Sequence, residues 1–133
     1  NFGHNFKSTV LKLVNEHKQL KMVGNQYGCP TYAGKLAEDL NNIAKAIDQK
    51  RVEPGVYHYS HDGVTSWYGF AREIMKLEEL DVELTEVLDA EFPTKAKRPN
   101  YSKLDGRRTI SEFQLEPIHW KEAFMRCKRD EEK

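Results

Sequence analysis

The chain has 133 residues, and its 21 basic side chains are balanced by 21 acidic ones. A formal net charge of zero provides no overall field that would draw the chain to nucleic acid or to an anionic membrane. No apolar run approaches the roughly 20 residues that a membrane-spanning helix needs, and the first residues resemble neither a signal peptide nor a transit peptide. The two cysteines, Cys29 and Cys127, form no Cys-x-x-Cys pair, so we expect free thiols and a cytoplasmic protein.

The first thirty residues predict a helix, a strand and a loop. Apolar side chains recur with helical spacing near the start, at Phe6, Val10, Leu13 and Val14. We predict that this helix ends near residues 17–19 and that a short strand follows at residues 20–23. Residues 24–30 are dense in glycine, asparagine and proline, which predicts a loop.

The next segment predicts a second helix and a second strand. Thr31 stands where it could cap a helix whose apolar residues keep helical spacing, namely Leu36, Leu40, Ile43 and Ile47. Pro54 and Gly55 should stop this helix. The β-rich residues 56–59 then predict a strand, closed by the turn formers that follow it.

The second half predicts three more helices and one more strand. Ser66 should cap the third helix, whose predicted buried side carries Trp67, Phe70, Ala71, Ile74 and Met75. Residues 82–87 predict a strand, residues 93–106 an extended loop, and residues 108–113 and 119–128 two helices. The chain is therefore predicted to be α/β, with four or five helices and two or three short strands. So small a sheet cannot cover that many helices, and we expect the chain to pack against something else.

Charge is unevenly distributed along the chain. Residues 78–91 hold seven acids and no base, whereas residues 95–108 hold six bases and a single acid, Asp105. Two solvated surface stretches would explain this pattern. The functional interpretation is that a loop braced by prolines aims Arg98 at an anion, because the guanidinium fork matches phosphate oxygens.

Other candidate sites are weaker. The segment from Gln26 to Thr31 leads from a strand into a helix, where free N–H groups favour ligands, although glycine and proline there are also ordinary turn residues. Trp67 could stack on a base or belong to the core. His58 and His61 are not completed into a metal-ligand spacing, and no Ser-His-Asp or Cys-His arrangement is present. We predict neither a metal site nor a catalytic residue.

Six motifs occur in a fixed order along the chain. They cover residues 5–6, 26–34, 55–60, 63–68, 92–105 and 118–120, and they include Lys97-Arg98-Pro99 and the closing Ile118-His119-Trp120. This series closely resembles the C-terminal half of the dTDP-4-dehydrorhamnose reductases, which belong to the extended short-chain dehydrogenase/reductase superfamily. The resemblance extends from Asn1 to about Cys127.

The resemblance implies a fold and an activity. Such enzymes use NADPH to reduce dTDP-4-dehydro-L-rhamnose to dTDP-L-rhamnose, a precursor of bacterial cell-surface polysaccharide. Their N-terminal part is a Rossmann domain with a glycine-rich dinucleotide loop and a Tyr-x-x-x-Lys catalytic pair. Neither feature occurs in this chain. Residues 1–133 are therefore expected to be the C-terminal sugar-nucleotide-binding domain, inactive and without bound cofactor when alone, with the protein's own Rossmann domain as its partner.

The resemblance also assigns substrate contacts. It places Arg98 on the pyrophosphate of a dTDP-sugar, Gln26 and Thr31 on sugar or phosphate hydroxyl groups, and Asn5 on the same rim. We expect the basic loop and the Gln26–Thr31 turn to converge around the sugar diphosphate. Two departures from the family are Asn25, where an acid is frequent, and Cys29, where a small residue is usual.

Two other interpretations remain open. A non-catalytic superfamily member could act as a regulatory subunit, which the absence of an upstream Tyr-x-x-x-Lys pair would favour. A small helical module could instead dock a basic protein on the acidic residues 78–91. The exposed apolar surface expected of a separated domain would also favour self-association, such as a homodimer.

Overall fold

The computed structural model describes residues 4–49 and 52–133, so residues 1–3 and 50–51 of the predicted domain lie outside the described residues. Within them the chain forms five α-helices and four short strands, which confirms the predicted α/β class. Two compact units form, one from residues up to 28 with 65–102 and one from 29–64 with 103–133. The elements are α1 Phe6–Glu16, β1 Gln19–Val23, β2 Tyr27–Gly28, α2 Ala33–Asp48, β3 Thr65–Ser66, α3 Trp67–Leu77, β4 Glu83–Val87, a 3-10 turn Asp89–Glu91, α4 Arg107–Phe113 and α5 Trp120–Glu131.

The first unit is built on a parallel pair of strands. β1 and β4 pair in register from Gln19 opposite Glu83 to Val23 opposite Val87, and both positions agree with the predicted strands. A two-residue antiparallel pair, β2 with β3, was not predicted; β2 lies within the predicted loop at residues 24–30, and β3 directly precedes α3. The core of this unit contains the buried residues Val10, Leu20, Ala71, Ile74, Met75 and Val87.

Helix α3 shows how local sequence sets the geometry of the first unit. The hydroxyl of Ser66 accepts a hydrogen bond from the Gly69 N–H at 3.0 Å, which confirms the predicted cap. Ile74 is completely buried, as the helical spacing predicts. Trp67, predicted on the buried side, is instead 38% exposed. As the first residue of the helix, it lies at the edge of the core.

The second unit has a different interior. Its buried residues come mainly from α4, α5 and the segment that joins them: Thr109, Phe113, Leu115, Trp120, Ala123 and Phe124. In α2 the buried residue is Asp39, which is 2% exposed, whereas Leu40 and Ile47 are 52% and 56% exposed. Part of the apolar stripe on α2 therefore faces outward.

Two predictions in the second unit are wrong. Helix α2 begins after Tyr32 without a side-chain cap, and the Thr31 hydroxyl donates instead to the Cys29 carbonyl at 3.3 Å. Residues 56–59 form no strand, because a strand requires a neighbour with which to share a ladder of hydrogen bonds. All four strands of the described chain belong to the first unit.

A buried polar network ties α2 to the segment before residue 64. Asp39 accepts hydrogen bonds from the Tyr59 hydroxyl at 2.7 Å and from Lys35 at 2.5 Å. His61 is 1% exposed, and its Nε2 accepts the Tyr32 N–H at 3.1 Å, so a neutral ring carries its proton on Nδ1. Burial lowers the pKa of His61, and the charge of Lys35 lowers it further. Burial and the hydrogen bond to Asp39 raise the pKa of Tyr59.

Candidate ligand-binding cleft

A cleft of about 290 Å³ lies in the first unit, beside the carboxyl end of β1. Ligands of parallel α/β sheets bind preferentially outside the carboxyl ends of the strands. Residues from β1, from the loop that follows it, from the first turns of α1 and α3, and from the segment after β4 line this cleft. They are Phe6, Lys21, Met22, Val23, Gln26, Trp67, Phe92, Thr94 and Arg98.

One edge of the cleft is aromatic. The ring centroids of Phe6 and Trp67 lie 4.8 Å apart with the planes tilted by 50°. Phe70 stacks on Phe6 itself, with the two ring centroids 5.5 Å apart. Since Trp67 remains 38% exposed, the pair can offer aromatic surface to a ligand as well as packing area to the core.

Another edge of the cleft is cationic. Lys21 points outward from β1 because side chains alternate along a strand, and its neighbour Leu20 faces the core with only 5% exposure. Arg98 comes from the exposed loop after β4, in which the Thr94 hydroxyl donates to the Ala96 carbonyl at 2.6 Å. Two cations at one cleft attract an anion, and the arginine fork fits phosphate oxygens.

Backbone bridges bring Gln26 and Arg98 to the same cleft. The Tyr27 N–H donates to the Asn100 carbonyl at 2.8 Å, and the Ser102 N–H donates to the Tyr27 carbonyl at 2.9 Å. Gln26 is adjacent to Tyr27, and Arg98 lies two residues before Asn100. These bonds therefore fix the end of the basic loop beside the turn that carries Gln26.

The turn after β1 is also fixed on its other side. Gly24 is buried, and a Cβ atom there would lie 1.9 Å from Oε1 of Glu86, so a larger residue would displace that side chain. Asn25 and Asp89 then exchange two hydrogen bonds of 2.8 and 2.9 Å. The hydrogen bond from Asn25 is the main cause that lowers the pKa of Asp89.

The four predicted substrate contacts are placed differently. Gln26 and Arg98 both line the cleft. Asn5 caps α1, with its side-chain oxygen accepting the Ser8 N–H at 2.9 Å, and it directly precedes the cleft residue Phe6. Thr31 belongs to the second unit and is exposed. The ligand contacts of Asn5 and Thr31 stay predictions, as do those of Gln26 and Arg98.

Several residues of the cleft were missed from the sequence. Lys21 carries a usable signal, since it is the outward-facing cation of a strand whose neighbours are apolar. Phe92 and Thr94 belong to the same motif as Arg98, and this proximity could have identified them. Phe6 was assigned to an apolar helix face alone. Only the tertiary contact with Trp67 shows that it also borders the cleft.

The cleft offers groups that can bind and orient a ligand. It combines two cations, an amide, a hydroxyl group and three aromatic rings. None of the six tyrosines in the sequence is followed four residues later by a lysine. Over residues 4–49 and 52–133, no cluster of three or more metal-ligating side chains forms. No helix in the same ranges has the length and apolar character required to cross a bilayer.

An α/β chain with a cationic and aromatic cleft at a strand end has the features of a substrate-binding domain for an anionic ligand. Comparison with known families identifies which one. The chain belongs to the family described as "RmlD substrate binding domain", which matches residues 1–132.

Individual relatives agree with this assignment. The chain is 40% identical over 121 residues to the spore coat polysaccharide biosynthesis protein SpsK of Bacillus subtilis, covering 91% of this chain and 40% of that protein. The crystal structure of a dTDP-4-dehydrorhamnose reductase from Clostridium acetobutylicum matches with 34% identity and a TM-score of 0.84, covering 100% of this chain and 46% of that one. The Bacillus anthracis reductase in complex with NADP matches with 30% identity and a TM-score of 0.80, covering 98% and 44%. The chain thus spans less than half the length of these relatives.

Proposed function

We propose that this chain is the substrate-binding part of an NADPH-dependent dTDP-4-dehydrorhamnose reductase, which forms dTDP-L-rhamnose for polysaccharide synthesis. The observation that carries the proposal is one cleft in which Gln26 and Arg98 lie together with Lys21 and the aromatic pair Phe6 and Trp67. A sugar nucleotide has a base that can stack, a diphosphate that needs cations, and hydroxyl groups that need hydrogen-bond partners. The cleft offers a group for each.

The roles of the residues follow from their chemistry. Arg98 is proposed to bind the pyrophosphate, because a guanidinium fork makes paired bonds to phosphate oxygens. Lys21 adds a second positive charge from the rigid strand β1. Gln26 is proposed to contact a sugar hydroxyl, and Asn5 and Thr31 are further proposed contacts. Phe6 and Trp67 provide a surface on which a base can stack.

Hydride transfer is proposed to depend on a part of the protein that this chain does not contain. The chain has neither a glycine-rich dinucleotide loop nor a Tyr-x-x-x-Lys pair, so its own residues do not fit NADPH. The outward-facing Leu40 and Ile47 of α2 are consistent with a second domain that packs there. We propose that this domain is a Rossmann domain that carries NADPH.

The test uses the full-length protein that contains this chain, assayed for NADPH oxidation with dTDP-4-dehydro-L-rhamnose. In the variant Arg98→Ala the KM for the sugar nucleotide is expected to rise about 10- to 100-fold, as expected for loss of a hydrogen bond to a charged group. The KM for NADPH should stay unchanged. Arg129→Ala, which removes an exposed arginine of α5, is the matched control and should behave like the wild type.

The outcomes separate the candidate functions. Absence of turnover with the keto sugar nucleotide would contradict the reductase assignment. If the inactive protein still bound dTDP-sugars, the regulatory subunit would become the better interpretation. An unchanged KM in Arg98→Ala, with turnover present, would remove Arg98 from the substrate site but leave the reaction in place.

A further inference from the structure

Residues 90–99 form a basic segment after β4, and every residue of the segment is exposed. Immediately before it, the side-chain amide of Asn25 donates to the Asp89 carboxylate at 2.8 Å and accepts the Asp89 backbone N–H at 2.9 Å. Asn25 belongs to the turn after β1, and both bonds are partly buried. These two hydrogen bonds form the entry anchor of the segment.

The exit anchor lies two residues farther along the same turn. The Tyr27 N–H donates to the Asn100 carbonyl at 2.8 Å. The Tyr27 carbonyl accepts two hydrogen bonds from Ser102, one from its N–H at 2.9 Å and one from its hydroxyl at 3.1 Å. Gly28 permits this approach, because a Cβ atom there would lie 2.9 Å from the Ser102 hydroxyl oxygen.

Both anchors belong to one short turn of the first unit, which makes the segment between them a closed loop. Asn25 and Tyr27 are two residues apart, so their Cα atoms are separated by at most about 7 Å, whereas ten extended residues would span about 35 Å. Residues 90–99 therefore turn back on themselves, as in an Ω-loop whose ends are held close together.

The segment carries the cation that we propose to bind the diphosphate. Lys95, Lys97 and Arg98 lie within four residues, and no acid lies between Pro93 and Pro99. Like charges this close repel one another, and an exposed segment loses conformational entropy when it is ordered. Both effects oppose a fixed position of Arg98 at the cleft, and the exit anchor begins only two residues after it.

We propose that Asn25 and Ser102 are positioning residues, which hold Arg98 at the cleft by fixing the two ends of the 90–99 segment. That the anion bound by Arg98 is the diphosphate of a sugar nucleotide rests on the proposed function. Neither side chain needs to contact the ligand, because each acts through the backbone of the segment. A segment fixed in advance loses less entropy when Arg98 binds, so the anchors lower the KM and leave kcat unchanged.

The first test is a double-mutant cycle in the full-length protein, assayed with dTDP-4-dehydro-L-rhamnose. Asn25→Ala removes the entry anchor, and Ser102→Ala removes the hydroxyl bond of the exit anchor. Together they should raise the KM for the sugar nucleotide about tenfold, with kcat and the KM for NADPH nearly unchanged. In the Arg98→Ala background the same pair should raise it less than about threefold, because the anchors act through Arg98. Asn42→Ala and Ser111→Ala make the same changes at exposed positions of α2 and α4 and should have no effect.

The second test is limited proteolysis, which needs no turnover. Trypsin cleaves after lysine, and the segment offers Lys95 and Lys97. Cleavage at these sites, followed by mass spectrometry, should be about tenfold faster when both anchors are altered, because more of the segment is open at any moment. Cleavage after the exposed Lys18 of the same unit should keep its rate. Added dTDP should slow cleavage of the segment in the wild type but not in Arg98→Ala.

Three results would overturn the proposal. One is a segment that is cleaved no faster in the double variant than in the wild type, and another is a segment that dTDP fails to protect. The third is an equal rise in KM in the wild-type and Arg98→Ala backgrounds. If Asn25→Ala does not fold, Ser102→Ala alone allows the same comparisons, because it alters an exposed position. A wild type without turnover would contradict the proposed function alone, since proteolysis reports the anchors and the protection by dTDP without catalysis.

Discussion

The two units of the chain use helices of similar apolar spacing in opposite ways. In the first unit, α3 buries Ala71, Ile74 and Met75 in a core shared with the parallel strands. In the second unit, α2 buries a carboxylate, Asp39, and exposes Leu40 and Ile47. The helical period is the same, but α3 buries these residues of its apolar stripe, whereas α2 leaves part of its own stripe exposed.

This difference concerns how much of its apolar surface each of the two helices buries within its own unit. The first unit has strands, a core and a cleft built from its own residues. The second unit holds α2 by a polar network and leaves apolar surface outside, which is costly in water unless another surface covers it. The candidate binding cleft lies in the first unit, and the outward-facing stripe of α2 in the second unit is the surface that we propose to contact the Rossmann domain.

The largest expected effect on the free energy of unfolding comes from truncating an apolar residue of α3, compared with the same truncation in α2. Ile74→Ala empties a fully buried site and should lower the free energy of unfolding by about 2–5 kcal/mol. Leu40→Ala removes a side chain that is half exposed and should change it by less than about 0.5 kcal/mol. Urea denaturation of the chain measures both. Equal losses would show that the α2 stripe is buried after all.

Asp39 is the next most sensitive position, because this carboxylate is the buried residue of α2. Asp39→Ala leaves the Tyr59 hydroxyl and the ammonium group of Lys35 without their acceptor and should cost about 3 kcal/mol. The neighbouring Glu38→Ala loses a surface pair with Arg126 and should cost less than about 1 kcal/mol. Thermal unfolding of both variants provides the comparison, and a small loss at Asp39 would contradict a structural role for the network.

Helix caps give a smaller contrast between the units. Ser66→Ala should destabilise the chain by about 1 kcal/mol, since it removes the acceptor for the Gly69 N–H. Thr31→Ala should be nearly neutral for stability, because the Thr31 hydroxyl does not cap α2. A loss at Thr31 as large as that at Ser66 would indicate that Thr31 caps the helix in solution.

The smallest effect is a dependence on pH that arises in the second unit. Burial and the nearby Lys35 lower the pKa of His61, against the opposing effect of Asp39. The unfolded chain therefore takes up a proton below about pH 6.5 while the folded chain does not, so stability present above that pH is lost as the pH falls. His61→Gln places an amide oxygen where Nε2 accepts the Tyr32 N–H and should flatten the decline between about pH 7 and 5. Urea denaturation at several pH values measures the free energy of unfolding. If it falls with pH as steeply in the variant as in the wild type, His61 does not cause the decline.

Much of the fold was predictable because its signals are local. Helical spacing located α1, α2, α3 and α5, a short helix was predicted where α4 lies, and the Ser66 cap was visible in the sequence. The strands at 20–23 and 82–87 were predicted from the alternation of their side chains. Residues 56–59 were predicted as a strand from their β-rich composition but form none, because pairing depends on a neighbour that the composition of the segment does not specify.

The site was predictable only in part. Gln26 and Arg98 come from motifs that the sequence displays, and both line the cleft. Lys21, Phe92 and Thr94 join them through strand alternation and through backbone bridges between distant segments. Such contacts depend on which distant segments the tertiary fold brings together. The periodicity of a single segment does not contain that information.

The sequence by itself determined the family, most helices and the two strands of the parallel pair, because these depend on ordered motifs and on spacings within a few residues. Tertiary structure alone decided that Tyr27 is bonded to Asn100 and Ser102, that Asn25 meets Asp89, and that α2 turns a carboxylate inward. The physical reason is that hydrogen bonds and burial between distant segments are satisfied only once the chain has folded, and a local pattern fits several such arrangements equally well.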